Sequence, residues 1–178
     1  MPEVPENEHR YIIWNYNDIL IPPGAVRVLI TQDYLKSKDA EVGRRVRKRE
    51  LRGVATYYYT EKRETDIPGK RLENESIITA EEYAQYLEEK DPALATIVKE
   101  RATWPENGHY LELDNYREPA YLKWLHVLEI EVSDISIEPI IELSPETRLI
   151  NVTKDPRCSN YQIAAGSLKG LSLEDFVS

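Results

Sequence analysis

A single cysteine, Cys158, a single methionine and a single phenylalanine stand among 178 residues. One cysteine excludes a disulfide framework within the chain, and it reads as a small packed side chain rather than a reactive thiol. His9, His109 and His126 are scattered without HExxH-like spacing, so histidine-based zinc chemistry is not expected. No stretch approaches the roughly 20 apolar residues of a membrane-spanning helix, and the opening MPEVPENEHR has no apolar signal core. A soluble, cytosolic protein with no membrane partner is therefore expected, and the sequons at Asn74 and Asn151 read as chance. Basic charge is in deficit, with a net charge of -9 and a pI near 5.0. That argues against nucleic acid as a partner, because sequence-independent affinity comes from an excess of Lys and Arg over phosphates. The length suits one domain over residues 1–178.

What the chain does have is charge repeating at a spacing of two. Arg45, Arg47 and Arg49 are followed, beyond a turn-like break, by Thr60 and Lys62. Glu6 and Glu8 precede Arg10, Glu73 and Glu75 follow Arg71, and Glu112 with Asp114 and Glu129 with Glu131 complete the set. On strands that period sends each group to one face. Leu128, Ile130 and Val132 interleave the last pair, as expected where one face meets packed structure and the other meets water or a ligand. Each segment alone could be a solvated outer face. Taken together they fit a mainly β, α+β fold in which a closed sheet encloses a polar, ion-binding interior and a few helices lie at the periphery.

Strands are predicted near 6–14, 27–35, 44–50, 54–61, 70–78, 96–103, 109–116 and 126–134, with the third and fourth forming a hairpin and Asn107-Gly108 marking another. Thr79 and Glu82 form a capping box that opens a helix over AEEYAQYLEEK, stopped by Asp91-Pro92. Short helices are predicted over 118–125 and from Asp155-Pro156 to Ala164, an irregular stretch around Pro139 and Pro145, and a poorly ordered tail LSLEDFVS.

Mixed acids and bases in one interior suit a particular chemistry. Hard cations such as Mg²⁺ or Mn²⁺ take carboxylate oxygens, while polyphosphate calls for converging Arg and Lys. Phosphoryl transfer is driven by positioning and electrostatics, so the lack of a nucleophile-base triad is no objection. The competing reading is a purely structural salt-bridge network.

The chain resembles the CYTH superfamily, also called triphosphate tunnel metalloenzymes, over about residues 6 to 166. ENEHR is similar to the signature ExExK, and in order come ITQDYL, the RxR of Arg45 and Arg47, the TxK of Thr60 and Lys62, and the RxExE of Arg71, Glu73 and Glu75. The KxR of Lys99 and Arg101, the ExE of Glu129 and Glu131, and NVTKDPRCSN follow. The resemblance implies an eight-stranded antiparallel closed barrel, a tunnel, that uses Mg²⁺ or Mn²⁺ on a small-molecule triphosphate. It implies metal acids at Glu6, Glu8, Glu129 and Glu131, with Glu73, Glu75 and Asp114 supporting them. Triphosphate ligands are implied at Arg10, Arg45, Arg47, Lys62, Arg71, Lys99 and Arg101, with Lys62 and Arg10 at catalytic positions, and a homodimer by analogy. Three positions depart from the pattern: Arg10 replaces a lysine, Asn151 a glutamate and Cys158 a tyrosine. Arg10 retains the charge but cannot accept a proton. The expected activity is hydrolysis of inorganic triphosphate or a small organic triphosphate. Cyclisation of ATP in the manner of class IV adenylate cyclases, and binding without turnover, are the alternatives.

Overall fold

A computed structural model describes residues 4–17, 20–66, 71–141 and 144–177, with side chains described from residue 7 onward. Alternating segments form β1 (Val4–Glu6), β2 (Glu8–Trp14), β3 (Val26–Leu35), β4 (Val42–Leu51), β5 (Val54–Glu64) and β6 (Arg71–Ile78). After α1 (Ala80–Leu87) come β7 (Ile97–Glu106), β8 (His109–Glu118), β9 (His126–Glu131), β10 (Arg148–Asn151) and the short α2 (Asn160–Ala164). They make one antiparallel sheet in the order β1-β6-β5-β4-β3-β7-β8-β9-β2-β10.

Both predicted hairpins form, and each turn needs two residues at positive φ: Arg52 at 50° with Gly53 at 80°, and Asn107 at 50° with Gly108 at 79°. That geometry matches the right-handed twist of the flanking strands. The capping box forms as expected, Thr79 Oγ1 accepting from Glu82 N at 3.1 Å and Glu82 Oε2 from Thr79 N at 2.7 Å. Tyr83 and Tyr86 then lay α1 on the outer face of the sheet, against Tyr57 at 4.8 Å and Tyr59 at 4.5 Å between ring centroids.

Four expectations are corrected. The expected eight strands are ten segments, and their hydrogen-bonded order runs from β1 to β10. The extra segments arise because the N-terminal strand divides at Asn7, residues 4–6 pairing with β6 and residues 8–12 with β9, and because β10 adds to the free side of β2. The helix predicted over 118–125 is a 3-10 turn at Ala120–Leu122, and the one from Asp155 divides into a 3-10 turn (Pro156–Cys158) and α2. Its division follows from a second cap, with Ser159 Oγ accepting from Gln162 N at 3.2 Å. The tail is ordered through Leu173–Phe176, because Phe176 packs on Trp124 and beneath the Arg157 guanidinium at 4.7 Å.

Apolar packing lies on both faces of the sheet, unequally. On the outer face Leu111, Leu113, Leu128 and Ile130 join Tyr11, Ile13 and Trp104 in one core. On the other face Ile12, Tyr34, Ile97, Tyr116 and Val127 form a band at one end, buried against Cys158, Ile163, Ala164 and Leu168 of the C-terminal segment. Each band residue lies two positions from a polar or charged residue on the same strand: Arg10, Gln32, Lys99, Asp114 and Glu129 respectively. The period of two therefore sets a row of polar and charged residues beside an apolar band that packs around α2.

Candidate functional site

Register alone decides which residues share the inner face. Opposite one another across the ladders stand Arg71 and Glu64, Glu73 and Lys62, Glu75 and Thr60, Thr60 and Arg45, Arg45 and Tyr34, and Arg47 and Gln32. The series continues with Ile30 and Lys99, Arg101 and Asp114, Glu112 and Glu129, Glu129 and Arg10, and Glu131 and Glu8. Paired positions point the same way, so one face carries every described site residue predicted from the sequence. Glu6 stands opposite Arg71 by its backbone, and its side chain lies outside the described residues.

The charges form two linked groups. Arg101 lies at the centre of the first, donating from Nε to Asp114 Oδ1 at 2.6 Å, from Nη2 to Asp114 Oδ2 at 2.7 Å and to Glu129 Oε2 at 2.9 Å, and from Nη1 to Glu112. Lys99 Nζ reaches Asp114 Oδ2 at 2.5 Å, and both side chains are almost wholly buried. Burial pushes the Lys99 pKa down against the pull of Asp114. Burial would lower Arg101 too, but Asp114, Glu112 and Glu129 hold it well above the ordinary arginine value. The second group lies on β4, β5 and β6: Arg47 with Glu75 at 2.8 Å, Thr60 with Glu75 at 2.9 Å, and Arg45 and Lys62 each 3.4 Å from Glu73. Arg71 lies at its margin, 2.8 Å from Glu64.

Arg10 extends the first group towards β2. One nitrogen of its guanidinium, Nη2, lies 2.7 Å from Glu8 Oε1 and 2.8 Å from Glu129 Oε1, while Nη1 donates to the Cys158 carbonyl at 2.5 Å. The contact with Glu129 is ionic only, for Oε1 accepts no hydrogen bond among the described residues. Burial would raise the Glu129 pKa, yet Arg10, Arg101 and Lys99 outweigh it and hold the carboxyl far below the usual range. A depressed carboxylate stabilises the fold while ionised. Its contribution is expected to be complete above the unfolded glutamate value of about 4.3 and to fade as pH falls below it. Urea unfolding of the protein and of Glu129→Gln between neutral pH and pH ~3 checks this, since the acid-induced loss shrinks in the variant if Glu129 is its source.

Hard cations fit part of this donor set. Glu8 and Glu129 converge on one point within 2.8 Å, marked by Arg10 Nη2, and Mg²⁺ is commonly held by one or two carboxylates completed by substrate phosphates. Glu131 lies opposite Glu8 in the ladder and is exposed. Glu73, Glu75 and Asp114 are engaged by cations elsewhere, and no three His, Cys, Asp or Glu residues gather into a metal-holding group among the described residues. Sequence reasoning did not assign Glu112, the third acid on Arg101, or Tyr34 and Tyr116 beneath the charges. The alternation of Glu112 with Asp114 was its only signal.

A cavity of about 400 Å³ opens between the charged row and α2, lined by Arg10 of β2, Tyr34 of β3, Arg45 of β4, Lys62 of β5, Arg71 of β6 and Asn160 of α2. Strands from both ends of the sheet order thus reach one space. No protein-family model and no curated protein matches the chain. Among solved structures, the inorganic triphosphatase NE1496 is similar over 90% of this chain and 97% of its own, at 21% identity and a TM-score of 0.59. The chain shares the fold of that protein. PH1819 from Pyrococcus horikoshii OT3 (18% identity, TM-score 0.54) is similar over 75% of this chain and 81% of its own. A putative adenylate cyclase from Bacillus halodurans (17%, 0.54) covers 76% and 84% in the same sense. In this fold, acids and bases from seven strands share one face.

Proposed function

We propose that the chain is a divalent-metal-dependent triphosphatase acting on inorganic triphosphate or a small organic triphosphate. The reading rests above all on the cavity in which Arg10, Arg45, Lys62 and Arg71 converge from four strands. The same lining holds Arg44 and the acids Asp39, Glu41, Glu64 and Asp91, and the convergence of the four inner-face cations suits a ligand with several negative charges. We further propose that the sheet closes into a tunnel through Asn7, the single residue between a strand bound to β6 and a strand bound to β9.

In this proposal the carboxylates are internal counter-ions. Unpaired cations in a poorly solvated interior would cost several kcal/mol each, a penalty on the order of that for any buried ion. Glu73, Glu75 and Asp114 offset it, and phosphate oxygens would take the place of Glu73 and Glu75 on Arg45, Arg47 and Lys62. Glu8 and Glu129, with Glu6 and Glu131, would hold Mg²⁺ or Mn²⁺, which when bound supplies charge neutralisation and polarisation of a phosphoryl oxygen. Arg10, permanently charged, stabilises negative charge developing on the transferred phosphoryl group. Lys62, an amine able to exchange its proton, is assigned to proton movement at the attacking water.

Phosphate release from inorganic triphosphate, thiamine triphosphate, ATP and pyrophosphate, with and without EDTA, tests the activity. EDTA-sensitive release from a triphosphate is expected; cyclic AMP from ATP would instead make the chain a cyclase, and binding without turnover would make it a receptor. Arg47→Ala is expected to weaken triphosphate binding by about 1.5 to 3 kcal/mol, the usual worth of a hydrogen bond to a charged group. Calorimetry finding no loss of affinity removes Arg47 from the ligand set.

A further inference from the structure

Arg47 and Arg101 stand on the same face and are bound in different ways. Register sets Arg101 directly opposite Asp114, and four of its N–H groups are committed to carboxylates: Nε and Nη2 to the two oxygens of Asp114, Nη2 again to Glu129 Oε2, and Nη1 to Glu112. Among the described residues Arg47 makes one hydrogen bond, from Nη2 to Glu75, and its Nε is buried without an acceptor. The partner acids differ in the same sense. Asp114 is wholly buried and is held a second time by Lys99 at 2.5 Å, whereas the side chains of Glu73 and Glu75 are 20% and 30% exposed. An anion arriving at Arg47 can send Glu75 into water. An anion arriving at Arg101 would have to strip a buried carboxylate of its cations, a change of several kcal/mol for any buried ion. The charges on β4, β5 and β6 are thus open to exchange, and those on β7 and β8 are locked to one another.

The locked group has one outlet. Arg101 Nη2 holds Glu129 Oε2 at 2.9 Å, which turns the other oxygen, Oε1, towards the point that Glu8 also reaches, 2.8 Å from Arg10 Nη2. Oε1 is buried and accepts no hydrogen bond among the described residues, and a buried acceptor left without a donor costs free energy. We infer that Arg101, braced by Asp114 and Lys99, is a positioning residue: it holds Glu129 so that Oε1 faces a divalent cation, and it does not itself bind the triphosphate. Groups that orient a metal's carboxylate ligands tune affinity without touching the ion, and their loss typically weakens metal binding by about 10- to 100-fold. The inference rests on the reading of Glu8 and Glu129 as metal acids and deepens it, by separating the cations that receive phosphate from those that fix the carboxylate.

The test is calorimetry of Mn²⁺ alone, and of inorganic triphosphate in EDTA, with the wild-type chain, Arg101→Lys and Arg47→Ala. Lysine keeps the positive charge, but one ammonium cannot make the fork on Asp114 and reach Glu129 as well. Arg101→Lys is expected to weaken Mn²⁺ binding about ten-fold and to leave triphosphate binding unchanged, whereas Arg47→Ala is expected to weaken triphosphate binding. Unchanged Mn²⁺ affinity in Arg101→Lys overturns the positioning role. A loss of triphosphate affinity in Arg101→Lys comparable to that in Arg47→Ala makes Arg101 a ligand and overturns the inference as well. Failure of the wild-type chain to bind Mn²⁺ overturns the metal reading, and is told apart because it needs no substitution. A crystal structure of the wild-type chain with Mn²⁺ and inorganic triphosphate decides the matter however the variant folds. Arg101 is expected to remain on Asp114 and Glu129 with Glu129 Oε1 on the metal, and a phosphate oxygen on Arg101 in place of Asp114 overturns the inference.

Discussion

Exchange of Asp114 for asparagine is expected to cost the fold about 3–5 kcal/mol, the penalty for leaving a buried charge without its partner. Asp114 is fully buried and accepts from Lys99 at 2.5 Å and from Arg101 at 2.6 and 2.7 Å. Asparagine is nearly isosteric but presents an amide where a carboxylate oxygen faced two cations. Lys99, 1% exposed, cannot reach water to compensate. Glu100 provides the contrast on the outer face, where it meets Arg27 at 3.3 Å and Arg117 at 2.7 Å with solvent around all three. Glu100→Gln is expected to cost under about 1 kcal/mol, because exposed pairs are screened. Urea denaturation of both variants separates the cases, and similar losses in the two would show that the Asp114 network is not held as a desolvated unit.

The second large effect is expected at Arg10. Removing its side chain takes a positive charge from between Glu8 and Glu129, both of which contact the same nitrogen. Arg10→Ala is therefore expected to tighten Mn²⁺ binding by about ten-fold, ~1.4 kcal/mol, as two carboxylates lose a competing cation. Triphosphate binding is expected to weaken at the same time, by about 1.5 to 3 kcal/mol, as a charge-assisted donor is lost. The opposite signs matter, since general loosening of the structure would weaken both. Calorimetry with Mn²⁺ alone and with inorganic triphosphate alone reads the two effects separately. Unchanged or weaker Mn²⁺ binding would place the metal away from the Glu8 and Glu129 pair.

Much of this arrangement was legible without coordinates because a strand has a period of two. Arg45 and Arg47, Glu73 and Glu75, and Glu129 and Glu131 could be assigned in pairs to one face from spacing alone, and the ladders carry those pairs round to a common side. Asn107-Gly108 and the Thr79 to Glu82 box were readable because each satisfies local backbone groups within four residues. The failures were non-local. Nothing near Asn7 indicates that residues 4–6 pair with β6 and residues 8–12 with β9, for both partners lie far along the chain. β10 was lost among prolines because its pairing is with Trp14 to Tyr11, over a hundred residues away. The tail appeared disordered because Phe176 finds its packing on Trp124 and Arg157 only after the chain returns.

The sequence by itself determined which side chains face together, since alternation is a property of each strand and survives any choice of neighbour. It also determined the balance of signs, 23 Lys and Arg against 32 Asp and Glu. Only the tertiary structure decided which acid meets which base: that Arg101 joins Asp114, Glu112 and Glu129, and that one nitrogen of Arg10 touches two carboxylates. Those choices depend on register and curvature summed over the whole sheet, and no short segment contains them.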